Sequence, residues 1–100
     1  MEKLETIFGN EQREVEIAKH ILTILKPRQP ENPMDLTELI KEAGDGLREI
    51  TDRHKSPHPI DYNRIFEELR RYGYITDPER GYVTVGSKLV MTESAKRIFD

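Results

Sequence analysis

The sequence predicts a mainly α-helical domain with a small antiparallel β-hairpin, which is an α+β fold. Apolar residues recur at helical spacing up to residue 72 and then change to short β-branched and aromatic runs. Two proline-rich segments, residues 27–33 and 57–59, separate the helical stretches because proline disrupts a helix interior. A chain of 100 residues normally buries one core, so we expect a single domain over residues 1–100.

The first long helix is predicted between Asn10 and Lys26. Asn10 is a residue type favoured at a helix N-cap, and Pro27 ends the helix. Between these ends runs an apolar stripe at helical spacing, formed by Val15, Ala18, Ile21, Leu22 and Leu25. Residues 1–9 are expected to form an N-terminal extension.

A second helix is predicted to begin at Asp35, a good N-cap with Glu38 three residues later, as in a capping box. Gly44 and Gly46 are expected to end this helix, and a short helix then runs to His54. An unbroken helix is the alternative, because the apolar spacing continues past both glycines and each costs only about 1 kcal/mol in a helix.

The clearest amphipathic helix is predicted over residues 61–72. Asp61 can cap its start, and Gly73 suits the left-handed conformation that often ends a helix. Its apolar face is formed by Tyr62, Ile65, Phe66, Leu69 and Tyr72.

The C-terminal part of the chain is predicted to contain the hairpin and a last helix. Gly86 and Ser87 form a two-residue turn signal, so residues 82–85 are expected to pair with residues 88–91. Thr92 is expected to cap the last helix, which folds back on the core through Ala95, Ile98 and Phe99.

Two segments near the C-terminus resemble a known family. The stretch "IFEELRRYGYI" resembles the end of the recognition helix in MarR-, PadR- and ArsR-like transcriptional regulators, and "KLVMTESAKRIF" is similar to the exit from their wing. The order of elements over residues 10–100 resembles that of the winged helix-turn-helix domain. The resemblance implies a DNA-binding transcriptional regulator that reads duplex DNA with the helix at 61–72 and has a wing at 74–91.

The candidate DNA-binding residues follow from this resemblance and from side-chain chemistry. Arginine and asparagine suit the guanine and adenine edges in a major groove, and basic side chains contact phosphates. The candidates are Asn63, Arg64, Glu67, Arg70, Arg71, Lys55, His58, Arg80 and Lys88. An ordinary solvated helix is the alternative, in which Arg64 pairs with Glu68 and Glu67 pairs with Arg71 at i, i+4 spacing.

The charge distribution keeps a second function open. The net charge is −3, whereas proteins that bind nucleic acid usually carry a basic surface. Residues 1–46 contain six lysines and arginines against ten acidic residues, a net charge of −4, and residues 47–100 contain ten against nine, a net charge of +1. The alternative function is a winged-helix protein–protein interaction module, or regulatory adaptor, that does not bind DNA.

A homodimer is expected, because dimers of small DNA-binding modules read two half-sites. The first helix is apolar around too much of its circumference for a lone surface helix. The interface is therefore predicted to use Leu4, Ile7, Phe8, Ile17 and Ile24.

Other classes of function are not expected. The chain lacks cysteine, a glycine-rich phosphate loop and a nucleophile elbow, so no enzyme activity and no cofactor are predicted. His54 and His58 have metal-ligand spacing, but Pro57 and Pro59 interrupt the helix there, so no metal site is predicted. No apolar run approaches the roughly 18 residues of a membrane span, and we expect a cytoplasmic protein without a membrane partner.

Overall fold

The computed structural model describes residues 1–84 and 86–99. Within these ranges the chain forms five helices and three short strands, which confirms a mainly helical fold with a small antiparallel sheet. In chain order they are α1 (Leu4–Ile7), α2 (Gln12–Leu25), β1 (Met34–Asp35), α3 (Leu36–His54), α4 (Tyr62–Arg71), β2 (Ile75–Thr76), β3 (Lys88–Met91) and α5 (Glu93–Ile98). None of the helices formed by these residues has the length and apolar character needed to cross a bilayer.

The sheet has the strand order β1-β3-β2, with β3 antiparallel to both neighbours. Met34 pairs with Leu89 in β1–β3, and Ile75 pairs with Met91 in β2–β3. The predicted pairing of residues 82–85 with β3 is wrong for residues 82–84, which form no strand, and Val85 lies outside the described residues. Two short segments from elsewhere in the chain therefore occupy both edges of β3.

Burial explains why Ile75 rather than Tyr82 lies opposite Met91. Leu89, Val90 and Met91 are all buried, so the neighbouring strands must also carry side chains that exclude water. Ile75 is only 1% exposed, whereas Tyr82 is 56% exposed. The pairing of Tyr82 with Met91 that a turn at Gly86 and Ser87 implies is therefore wrong, because pairing with β2 buries an isoleucine, whereas the turn would have placed an exposed tyrosine there.

Helix α3 is continuous over 19 residues, so the predicted break at Gly44 and Gly46 is wrong. Asp35 does cap it, since the Asp35 carboxylate accepts a hydrogen bond from the Thr37 N–H at 2.8 Å. The buried residues on its inner face continue on both sides of the glycines and are Leu39, Ala43, Leu47 and Ile50. Their combined burial outweighs the cost of two glycines in the helix. Lys55, in the left-handed conformation, ends the helix instead.

Gly46 has a packing role at the crossing of α2 and α3. A Cβ atom at this position would overlap the ring of His20 on α2, whereas one at Gly44 would meet no atom within 4 Å. The two helices therefore use the missing side chain of Gly46 to accommodate an imidazole ring between them.

The start of α2 differs from the prediction. Its N-cap is Glu11, with no side-chain capping bond, whereas Asn10 has a positive φ of 65°. The Asn10 N–H donates to the Glu5 carbonyl at 2.8 Å, which closes the short helix α1. This turn allows the N-terminal extension to fold back, so that Leu4 and Phe8 are buried in the core.

The caps of α4 and α5 agree with the predictions. Asp61 accepts a hydrogen bond from the Arg64 N–H at 3.1 Å, and Thr92 accepts one from the Ala95 N–H at 3.2 Å. Gly73, with a φ of 81°, ends α4. Its N–H donates to the Arg70 carbonyl while the Tyr74 N–H donates to the Leu69 carbonyl, the pair of bonds that defines a Schellman motif.

The last helix packs differently from the expectation in one respect. Ala95 is buried and Phe99 packs, half-buried, against the core, as expected. Ile98 is 56% exposed, so its predicted place in the core is wrong. The six residues of α5 make fewer than two turns, and one apolar face cannot bury all three side chains.

The two glycines of α3 provide a matched test of this packing. We expect Gly44→Ala to stabilise the protein by about 0.5–1 kcal/mol, because alanine favours the helix and nothing opposes its methyl group. Gly46→Ala should instead destabilise it by about 1–3 kcal/mol, because the methyl group displaces the His20 ring. Urea denaturation measures both free energies of unfolding.

Adding His20→Ala to each glycine variant tests the cause of that loss. It should remove most of the difference between the two glycine variants, because the new methyl group then meets no imidazole ring. Equal effects of Gly44→Ala and Gly46→Ala in the parent background would show that the His20 contact is unimportant.

Candidate functional site

The outward face of α4 brings together three of the predicted site residues. Ile65, Phe66 and Leu69 point into the core. Asn63, Glu67 and Arg71 are exposed on the other side of the helix, one turn apart. We call these three residues the α4 face.

The three arginines of α4 differ in how their guanidinium groups are used. Arg64 forms an ion pair with Glu14 of α2 and lies 5.9 Å from the centre of the Phe8 ring. Arg70 binds Glu67 and also donates to the Gly81 carbonyl at 3.4 Å. The Arg71 side chain is 68% exposed, and its nearest carboxylate oxygen, on Glu68, is 3.9 Å away. Arg71 is therefore the most accessible arginine of α4.

The two i, i+4 ion pairs of the solvated-helix alternative do not form. Arg64 turns away from Glu68 toward α2, and Glu67 pairs with Arg70 rather than Arg71. The hydrogen bond from Arg70 holds the pKa of Glu67 below its ordinary value, and Glu67 in turn raises the pKa of Arg70. Arg64 has a partner from another helix that helical spacing cannot indicate.

The loop between β2 and β3, described for residues 77–84 and 86–87, is organised around Asp77, which is only 4% exposed. Its carboxylate accepts hydrogen bonds from the backbone N–H groups of Glu79 at 2.8 Å, Arg80 at 3.1 Å and Lys88 at 3.3 Å. Burial alone raises the pKa of Asp77, but these hydrogen bonds outweigh it and hold the pKa below the ordinary value of 3.8.

Ser87 completes the loop from its other end. Its hydroxyl is buried, accepts from the Thr84 N–H at 2.9 Å and donates to the Tyr82 carbonyl at 3.4 Å. The sequence predicts only a turn at Ser87. An Asp before Pro-Glu is a signal for a side-chain-capped turn, so the role of Asp77 could have been recognised. The role of Ser87 depends on the folded loop.

The β2–β3 loop lies beside α4 and extends its exposed surface. The hydrogen bond from Arg70 to Gly81 joins the two elements. Arg80, Tyr82 and Lys88 are all exposed on or next to this loop. Tyr82 was not among the predicted site residues, although its 56% exposure makes it an accessible aromatic ring.

The remaining two candidates, Lys55 and His58, lie in the connection between α3 and α4. The His58 carbonyl accepts from Arg13 Nη2 at 2.8 Å, and the Ser56 hydroxyl accepts from Arg13 Nη1 at 3.1 Å. His58 lines a cleft with Arg13 and Arg64 near the start of α4. His58 thus lies near the start of α4, whereas Arg70 lies near its end.

His54, which stands four residues before His58, binds Glu16, and Arg53 binds the same carboxylate. The hydrogen bond from His54 is the main reason that the pKa of Glu16 is held below its ordinary value. Among residues 1–84 and 86–99, no group of three histidine or carboxylate side chains is arranged to hold a metal ion.

An apolar cleft separates α4 from the start of α3. Its lining includes four half-buried apolar side chains that pack on the core, namely Leu36, Ile40, Tyr62 and Val83, together with polar residues that include Asp61, Arg64, Glu68 and Thr84. Asn63 and Glu67 lie at its rim. The α4 face therefore adjoins an apolar surface as well as a polar one.

The residues expected at a dimer interface all pack within the single chain. Leu4, Phe8 and Ile17 are at most 6% exposed, and Ile7 and Ile24 are half-buried against the same core. Because this core explains their apolar character, dimerisation remains a prediction that these residues do not support.

The Asp77 hydrogen bonds have a pH-dependent consequence. Asp77→Ala should destabilise the protein by about 1–3 kcal/mol at neutral pH, since three backbone N–H groups lose their acceptor. The folded-state pKa lies below 3.8, so the stabilisation is complete well above pH 3.8 and is lost as the pH falls through the folded pKa. Chemical denaturation between neutral and acid pH measures the difference.

The exposed neighbour Glu79 provides the control for this loop. Glu79→Ala also removes a negative charge there but leaves the Asp77 carboxylate in place. A difference between parent and Asp77→Ala that stays constant down to pH 2–3, or one matched by Glu79→Ala, would contradict this role of Asp77.

No protein-family model matches the chain, and neither a curated protein nor a solved structure is significantly similar to it. Its function therefore has to be inferred from its own residues and contacts.

Proposed function

We propose that this protein is a winged helix-turn-helix transcriptional regulator that binds duplex DNA through α4 and the β2–β3 loop. The order of elements supports this proposal. Helices α2, α3 and α4 precede β2 and β3, and β1 adds a third strand on the other side of β3. In such a domain α4 is the recognition helix and the β2–β3 loop is the wing.

The observation that carries the proposal is the accessible α4 face beside that loop. A helix of 10 residues is about 15 Å long and fits a major groove about 12 Å wide. Asn63 and Arg71 can donate hydrogen bonds to base edges or phosphates, and Glu67 can accept one from the amino group of cytosine. Arg80 and Lys88 provide positive charge on the adjacent loop.

The overall charge limits the expected affinity. With a net charge of −3, attraction to DNA must come from the local cations near α4 rather than from the whole molecule. Binding should therefore be clearest at low ionic strength and weaken steeply as salt is added.

A protein partner is the second candidate function, and the apolar cleft beside α4 is the observation that favours it. Major-groove recognition needs mostly polar contacts, whereas a protein partner can bury Leu36, Ile40, Tyr62 and Val83. Residues 1–46, which carry a net charge of −4, suit a basic partner. In this adaptor function the α4 face would be the rim of a protein interface.

Arg71→Ala tests DNA binding by the α4 face. The variant should bind random duplex DNA more weakly, and the dependence of log K on log salt should become shallower by about one, because one phosphate contact is lost. If Arg71 reads a base, the loss on a selected sequence should reach about 1–3 kcal/mol. Fluorescence anisotropy between about 50 and 200 mM salt measures both effects.

Arg48→Ala is the matched control, since Arg48 is exposed on α3 and its removal changes the net charge equally. Equal effects of the two substitutions would show that α4 is not the DNA-binding helix. If the parent does not bind duplex DNA at low salt, the adaptor function replaces the proposed one.

A further inference from the structure

The ion pair between Arg64 and Glu14 joins two helices through residues 50 positions apart. Glu14 lies on the first turn of α2, and Arg64 lies on the exposed side of α4. Because Arg64 follows Asn63 and lies one turn from Glu67, a DNA backbone on the α4 face would come close to it. The site thus contains a carboxylate bound to a guanidinium group that a phosphate could also use.

The accessibility of the two side chains is unequal. The Arg64 side chain is 45% exposed and the Glu14 side chain is 24% exposed. An approaching phosphate could therefore reach the guanidinium group without a rearrangement of the helices, while Glu14 is partly shielded. The Arg64 guanidinium group also lies over the Phe8 ring, with its central carbon 5.9 Å from the ring centre.

Glu14 differs in this respect from Glu67, the carboxylate that binds Arg70 of α4. Glu67 and Arg70 are three residues apart on the same helix, so their pairing is a local property of α4. The Glu14–Arg64 pair exists only when α2 and α4 are packed together. Any factor that displaces Glu14 would change the charge presented by α4.

We propose that Glu14 is an intramolecular mask that competes with DNA phosphate for Arg64 and so lowers the affinity of α4 for DNA. This inference rests on the proposed DNA-binding function. Glu14 neutralises Arg64, so a phosphate can bind this guanidinium group only where it replaces the carboxylate. Loss of the Glu14 charge leaves Arg64 available as an additional phosphate contact.

Glu14→Gln tests the mask directly. We expect its affinity for random duplex DNA at low salt to rise by up to about fivefold beyond that of the control, as suits a partly exposed ion pair. The dependence of log K on log salt should become steeper by about one, because Arg64 now releases a counterion. Fluorescence anisotropy measures both, and circular dichroism checks that each variant is folded.

Glu49→Gln is the matched control. It makes the same change in net charge at an exposed position of α3, and Glu49 forms no ion pair within the described ranges. The same two substitutions are then made in an Arg64→Gln background. There the effect of Glu14→Gln should fall to that of Glu49→Gln, because the residue that Glu14 masks is gone.

The outcomes separate this inference from the proposed function. If the parent binds DNA through Arg71 but Glu14→Gln acts no differently from Glu49→Gln, the mask is wrong and the DNA-binding function stands. A Glu14→Gln excess that persists without Arg64 also overturns the mask. Binding by Glu14→Gln where the parent shows none supports the mask but overturns DNA binding as the function of the parent, and no binding by any variant at low salt overturns both.

Discussion

The pairing of β3 with two short strands is the constraint on which the rest of the structure depends. β3 contributes only Lys88–Met91, yet it holds β1 immediately before α3 and β2 shortly after α4. The residue that follows it, Thr92, donates from its backbone N–H to the Tyr74 carbonyl at 3.0 Å and from its hydroxyl to the Gly73 carbonyl at 2.5 Å. One strand thereby fixes the start of α3, the end of α4 and the start of α5.

The position of the candidate functional surface follows from this arrangement. Asp77 binds the first residue of β3, Ser87 binds Thr84 within the β2–β3 loop, and Arg70 ties the loop to α4. The α4 face and the loop therefore form one continuous surface whose geometry is set by hydrogen bonds to the backbone. Such bonds place side chains more rigidly than the exposed ion pairs nearby.

Electrostatics distinguishes the two candidate functions more clearly than the fold does, because one fold can support either. Arg64 and Arg70 of α4 are already bound to carboxylates of the same chain, and the third arginine, Arg71, lies 3.9 Å from Glu68. Phosphate must compete with these partners, whereas a protein partner could bind the apolar cleft without disturbing them. The accessible cations near α4 thus favour DNA, whereas the half-buried side chains beside it favour a protein partner.

Features that depend on neighbours a few residues away could be predicted from the sequence. The helical segments α2 and α4, the caps at Asp35, Asp61 and Thr92, and the glycine end of α4 at Gly73 are all of this kind, since the groups involved are nearly adjacent in the chain. So is the exposure of Asn63, Glu67 and Arg71, which follows from the apolar stripe on the opposite side of the helix.

The continuity of α3, the partner of β3 and the partner of Arg64 depend on tertiary packing and could not be predicted from the sequence. The glycine cost in α3 is small beside the burial of its inner face, and β3 takes the partner that buries an isoleucine. Glu14 is 50 residues from Arg64. Contacts of this kind depend on how helices pack, and spacing along one helix carries no information about them.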